Sequence, residues 1–223
     1  MSNQNISFTA TQASVLSTSK VLKNTYALLS MTLLFSAVMA GVSVAMNPPQ
    51  FTGIVTSLIA MALLWFVLPK TANSSKGLYV VFAVTGLLGF GLGPILNAYL
   101  HTGNGGQIIM TALGGTGIIF LALSAYALTT RRDFSFMGGM LMVGMIVILI
   151  AALANIFLEM PALSLTISAV VILLMSGFIL YDTSRIIHGG ETNYIMATVS
   201  LYLSIYNIFV SLLQILGIFG NDD

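Results

Sequence analysis

The sequence predicts an all-α membrane protein: a polytopic bundle of seven transmembrane helices, N-terminus cytoplasmic and C-terminus outside. Three observations carry that prediction. Of 223 residues, 57% are hydrophobic and only 6% charged, whereas a water-soluble domain carries roughly 25% charged residues. So few charges cannot cover a water-facing surface, so lipid must be most of the solvent. The charge-free stretches divide into seven lengths, each sufficient for a helix of ~20 apolar residues across ~30 Å of hydrocarbon. All seven lysines and arginines then fall on one side of the resulting topology.

Taken in order, residues 1–23 (MSNQNISFTATQASVLSTSKVLK) are rich in Ser, Thr, Asn and Gln, and their lysines come late. A secretory signal would begin basic, continue apolar and end at small residues, so this segment reads as a polar cytoplasmic tail. The bundle follows over 24–218. Asn24 to Pro69 is broken by Asn47-Pro48-Pro49-Gln50 and makes spans 1 and 2. Gly77 to Thr130 is broken by the loop from His101 to Gly106 and makes spans 3 and 4. Phe134 to Leu158, Met160 to Tyr181 and Thr192 to Asn221 supply spans 5, 6 and 7, with 219–223 a short external tail. Runs such as MLMVGMIVILIAALANIFL are apolar all round, which suits helices; barrel strands alternate apolar and polar residues.

Lys20 and Lys23 precede span 1, Lys70 and Lys76 lie between spans 2 and 3, Arg131 and Arg132 between spans 4 and 5, and Arg185 closes span 6. The positive-inside bias puts that side in the cytoplasm and Asp222-Asp223 outside. Short connections make sequential helices antiparallel neighbours. No internal repeat supports an inverted-repeat transporter. A net charge of +1 gives no reason to expect nucleic acid, and the absence of Cys excludes disulfides, thiolate metal sites and a cysteine nucleophile.

The residues argue against intramembrane enzymes. No lysine follows Lys76 to form a retinal Schiff base, and His101 and His188 lie at span ends rather than where a serine protease needs its base. An aspartyl protease needs two carboxylates, and span 7 has none. Clustered His and carboxylate ligands for hydrolytic zinc are absent from the pattern. A catalytic site is not expected.

Three features inside the spans remain. Span 3 reads GLLGFGLGPILNAYL; Gly89 and Gly93 suit close helix packing, while Gly93-Pro94 is also a candidate kink, because Pro94 removes a backbone donor. Span 7 carries Ser200, Ser204, Asn207, Ser211 and Gln214 at helical spacing, a stripe that is either interhelical glue or one wall of a hydrated path. Asn97 and Asn155 are expected to bond between helices by the same logic. Finally, Asp182 follows the apolar run of span 6 in GFILYDTSRIIHGG. Gly189-Gly190 is a plausible helix stop, placing Asp182 roughly two turns, ~10 Å, inside the end. Either Asp182 pairs with Arg185 on the helix surface, or it faces the Ser200–Ser204 turn with Tyr181, Tyr202 and Tyr206 as donors.

The segments LYDTSRIIHGGETNY and SLYLSIYNIFVSLLQILG, with GFGLGPIL, ALGGTGIIF, DFSFMGGML and NIF, closely resemble the Bax inhibitor-1 (transmembrane Bax-inhibitor-motif) family. The resemblance runs from about Thr18 to Gly217, and STSKVLKNTY and HGGETNYI are similar to its bacterial YccA-like branch. It implies two functions. The wider family implies a pH-sensitive calcium or proton leak through paired membrane aspartates. Asp182 matches the first of these, Ser204 stands at the second, and Lys70 matches a basic residue closing span 2. Arg185 and Asn207 complete the candidate ion- or proton-sensing set. Because Ca²⁺ prefers 6–8 oxygen ligands including carboxylates, Asp182 alone makes a weak metal site. No resident cofactor is implied, only transient Ca²⁺. The YccA-like branch instead implies an inner-membrane regulator that associates with the ATP-dependent membrane protease FtsH and restrains it, with membrane lipid as its surroundings. Oligomeric state is left open.

Overall fold

A computed structural model describes residues 3–220, with side chains from Thr18 onward. Met1, Ser2 and residues 221–223, which include the expected external tail's Asp222-Asp223, lie outside the described residues. Helices α1 (Asn3–Met46), α2 (Phe51–Ala62), α3 (Leu68–Thr71), α4 (Lys76–Gly91), α5 (Gly93–Leu100), α6 (Gly105–Thr130), α7 (Gly138–Leu158), α8 (Pro161–Ile187) and α9 (Tyr194–Phe219) follow one another, and the described residues contain no strand. Seven stretches are long and apolar enough to span a membrane: Thr18–Met46, Phe51–Thr71, Lys76–Leu100, Gly105–Thr130, Ser135–Leu158, Pro161–Ile187 and Tyr194–Phe219. The helix α1 runs back to Asn3, through most of the segment read as a polar tail. No Gly or Pro precedes Gly41 to interrupt it.

Two spans are irregular where proline sits. Span 2 passes from α2 to α3 through a π-helical turn at Leu63–Val67, just before Pro69. Span 3 breaks between Gly91 and Gly93, where Pro94 cannot donate to the preceding turn. Spans 3 and 7 are the most buried and span 5 the least. The innermost helix, α9, touches α1, α4, α6 and α8, while α7 rests on α8 alone among the spans. The main core joins Leu29, Val84, Ile179, Ile186, Leu201 and Ile208.

Glycine makes the α1–α4 seam possible. A Cβ on Gly89 would strike the Ser36 carbonyl, and one on Gly93 the Ser43 side chain. On the neighbouring face, a Cβ on Gly53 would stand 2.8 Å from the Gly91 carbonyl oxygen. This close approach lets Ser36 Oγ reach the buried Tyr202 phenol of α9 at 2.6 Å. Tyr202 in turn donates to the Thr85 carbonyl at 3.3 Å, so Ser36 is the donor to the phenol oxygen. One side chain therefore ties spans 1, 3 and 7. In lipid, where association has little hydrophobic drive, such backbone proximity and internal hydrogen bonding hold the bundle.

The two ends of the bundle are chemically distinct. Asn193 bonds to Ala72, and Phe134 to Ser184, which gathers the 2–3, 4–5 and 6–7 connections at the end where span 1 begins. All seven basic residues lie in or beside those segments. At the opposite end Asn97 donates to Val44 O (3.2 Å) and Asn47 Oδ1 (3.0 Å), and Asn104 donates to Gly220 O. Asn97 thus links spans 3 and 1. Asn155 does not link helices as expected: its Oδ1 accepts the Met160 amide within the 5–6 turn, because it stands in the last turn of α7, next to a backbone that reverses at Glu159 (φ 50°).

Candidate functional site

The basic end of the bundle is built on the hairpin between α8 and α9. After Ile187 the chain turns through Gly189 at φ +74°. The Gly190 amide donates to Arg185 O (2.8 Å) and the Gly189 amide to Ile186 O (3.2 Å), a Schellman arrangement that satisfies the helix's last carbonyls. Glu191 then works with both oxygens: Oε1 accepts the Asn193 amide at 2.9 Å and Oε2 lies 3.6 Å from Arg185 Nη2. Asn193 caps α9, accepting from the Ile195 and Met196 amides. Its amide group donates to Ala72 O (3.0 Å) and Asn73 Oδ1 (2.8 Å). The hairpin is fixed both internally and to the 2–3 connection.

Asp182 is buried at 9% exposure, five positions before the end of α8. It lies between Ile179 and Ile186, both members of the main core. Arg185 does not form an ion pair with it; the guanidinium is taken by Glu191, by Gly190 O at 3.2 Å and by the face of Tyr181 at 5.6 Å. The three tyrosines are engaged elsewhere too. Tyr181 packs on Gly138, Tyr202 bonds Ser36 and Thr85, and Tyr206 stacks on Tyr202 with ring centroids 6.2 Å apart. Ser204 is buried and its hydroxyl donates to Ser200 O at 3.1 Å, within its own helix. It stands ten residues into α9 while Asp182 is five from the end of α8, an axial offset of ~7 Å at 1.5 Å per residue.

The polar stripe of α9 divides. Ser200 is exposed, and Asn207 donates to Leu203 O in its own helix at 2.8 Å. Gln214 is interhelical: it bonds Ser164 and accepts from Ser168 Oγ at 2.8 Å, both on α8. Lys70 is exposed in α3, and the elements around it pack on α4 rather than on α8. No hydrogen bond or ion pair among the described residues joins Lys70, Asp182 and Ser204. Among the described residues no three of His, Cys, Asp and Glu come together as metal ligands.

Around Asp182 the end of the bundle is polar. Ser184 Oγ accepts the Phe134 amide (2.9 Å) and donates to Arg132 O (3.2 Å), joining the 4–5 loop to α8. His188 Nδ1 lies 2.9 Å from Ser184 O, and a carbonyl only accepts, so Nδ1 carries a proton. Asp133, in the 4–5 loop, accepts the Ser135 amide at 2.9 Å. Those bonds to Ser135, with His188 nearby, hold its carboxyl below the ordinary carboxylate range. A cavity of about 690 Å³ opens among Thr18, Leu22, Arg131, His188 and Glu191. The arrangement offers hydrogen-bonding and charged groups for recognition.

Sequence reasoning missed Asn193, Ser184 and Ser36. Asn193 had a readable signal, an N-cap residue directly before an apolar helix. The partners of Ser184 and Ser36 lie 50 and 166 positions away, beyond any local pattern.

A seven-span bundle with a buried carboxylate in span 6 and a cross-bonded 6–7 hairpin defines a multi-pass membrane protein whose basic residues gather at one end. Residues 18–221 match the family model described as Inhibitor of apoptosis-promoting Bax1, and the chain belongs to this family, the Bax inhibitor-1 family. It is similar to Modulator of FtsH protease YccA of Escherichia coli (strain K12), 58% identical over 211 residues, which is 95% of each chain. A second similar sequence, an uncharacterized membrane protein of Vibrio cholerae, is 53% identical over 93% of each chain. The strain CFT073 relative of Escherichia coli, also 58% identical, is named Inner membrane protein YccA. The chain is a multi-pass protein of the bacterial inner membrane.

Proposed function

We propose that the protein is a non-enzymatic inner-membrane regulator that binds an FtsH-type ATP-dependent protease and restrains its proteolysis. The observation that carries this reading is the 58% identity, over 95% of both chains, to a protein named for modulating that protease. The basic end faces the cytoplasm in this reading, by the positive-inside bias, so residues 1–17 precede the first span on the side where an ATP-driven protease works. The glycine seam and the Ser36–Tyr202–Thr85 bonds would make the bundle resistant to extraction. The working partners are that protease and the surrounding lipid, with no resident cofactor. The test is co-purification with the protease from membranes, for the full chain and for a form lacking residues 1–20. Retention by the full chain and loss of its restraint in the truncated form support the reading. Equal binding and restraint by the truncated form would remove the N-terminal segment from it.

A second reading rests on Asp182, a buried carboxylate inside a membrane span, which is by default a functional candidate. It would make the protein a pH-sensitive leak for protons or, with transient coordination at Asp182, Ca²⁺. Ser204 offers a hydroxyl where a second acid would be needed, and that hydroxyl is already bonded to Ser200. Ion flux into proteoliposomes across pH decides between the readings. An Asp182→Asn variant with unchanged flux rules out the leak, and calcium flux gained by Ser204→Asp would identify the missing acid as its sole defect.

A further inference from the structure

Hydroxyls inside these spans follow a clear habit. Thr32, Thr56, Thr71, Thr116, Thr166, Thr198 and Ser204 all donate to a carbonyl three or four residues earlier in their own helix. Thr25, Ser124 and Thr183 do not, although they are 0%, 4% and 0% exposed. Their hydroxyl oxygens, and that of Tyr26, are buried without a hydrogen-bond partner among the described residues. In hydrocarbon an unsatisfied polar group is strongly unfavourable, and the usual resolution is an ordered water with about three hydrogen bonds.

All four groups stand beside the main core, near the basic end of the bundle. Thr25 follows Val21 and Leu22 on α1, Ser124 follows Phe120 and Leu123 on α6, and Thr183 lies between Ile179 and Ile186 on α8; all of those apolar neighbours pack in or against the main core. The Tyr26 ring lies 6.1 Å from that of Phe120, and Thr198 of α9 donates to Thr25 O at 3.2 Å. Counted from the basic ends of their spans, all lie within little more than two turns, ~6–12 Å, a range that brackets the depth of Asp182. The Ser43 hydroxyl is also unpartnered, but it lies elsewhere, against Gly93.

We propose that spans 1, 4 and 6 enclose an internal water site, its ligand ordered water and its hydrogen-bonding groups the hydroxyls of Thr25, Tyr26, Ser124 and Thr183. This site is distinct from the span 7 stripe, whose spacing suits either interhelical glue or one wall of a hydrated path, and it puts water near the depth of the buried carboxylate.

Two measurements on the full chain in lipid nanodiscs test it. Thr183→Val replaces a hydroxyl by a methyl of nearly the same shape. Removing a dry, unsatisfied hydroxyl is neutral or stabilising, whereas removing a water's partner destabilises. The expected result is a fall of several degrees in unfolding midpoint, larger than that of Thr116→Val, whose hydroxyl is bonded within its helix. Radiolytic hydroxyl-radical footprinting then reads water directly: Tyr26 should be oxidised several-fold faster than Tyr202, and that excess should drop in a Ser124→Ala/Thr183→Val double variant. A midpoint that rises or matches the Thr116→Val control overturns the site, as does a Tyr26 rate equal to that of Tyr202. If the double variant fails to accumulate, the wild-type comparison of the two tyrosines decides alone.

Discussion

Arg185 stands one helical turn after Asp182, yet its ion pair is with Glu191, 3.6 Å away across the glycine turn. The pair sits at the surface, with the Arg185 side chain 36% exposed, so solvent screening keeps it small. A double-mutant cycle of Arg185→Gln and Glu191→Gln should give a coupling of about 0.2–1 kcal/mol. An Asp182–Arg185 cycle with the larger coupling would contradict this geometry.

Asn193 matters more than the ion pair. Asn193→Ala removes the cap of α9, at a cost of about 0.5–2 kcal/mol, and also both bonds to the 2–3 connection. Asn193→Asp keeps the capping oxygen but replaces the donor with a second carboxylate oxygen, which then faces two acceptors, Ala72 O and Asn73 Oδ1. Both variants should unfold at lower temperature, and Asp should not rescue fully. Full rescue by Asp would show that the contact with Ala72 and Asn73 contributes nothing.

Glycines of the same helical type should respond oppositely to alanine. At Gly89 a methyl meets the Ser36 backbone, and such overpacking costs about 1–3 kcal/mol or more. At Gly114 nothing lies within 4 Å, and alanine's better helix propensity should add up to about 1 kcal/mol. Thermal unfolding in one detergent compares them; equal midpoints would mean that the α1–α4 seam is looser than described.

Asp133 gives the pH dependence a sign. Its bonds to Ser135 favour the ionised form in the folded protein, so its folded pKa lies below its unfolded one. Its stabilisation is therefore fully present above the unfolded value, about 4, and lost as pH falls through the folded value. Asp133→Asn keeps an acceptor for the Ser135 amide but cannot titrate. The acid side of the stability curve should flatten in that variant, and an unchanged acid limb would assign the pH dependence to other groups.

How much of this was readable follows from the range of each interaction. The spans were legible because each is a continuous apolar run, and the Gly189 turn because only local backbone geometry is involved. Asp182 was legible as a carboxylate near the basic end, with a surface pair and a buried position both open. Its surroundings were not: Tyr202 is drawn to Ser36 and Thr85, helices that are distant in sequence. Asn155 shows the opposite limit, since nothing in its apolar neighbourhood distinguishes a turn cap from an interhelical bond. The stripe on α9 is a real helical periodicity whose members meet different surroundings, from exposed Ser200 to Gln214 against α8.

Restraint of a membrane protease is read most plainly from degradation kinetics. A purified FtsH-type protease and a membrane substrate are reconstituted in proteoliposomes with and without the full chain, and substrate loss is followed over time. Substrate degradation should slow in step with the amount of chain present, with the chain itself degraded slowly. Substrate loss at the same rate whether the chain is present or absent, under conditions where the protease is active, would contradict it.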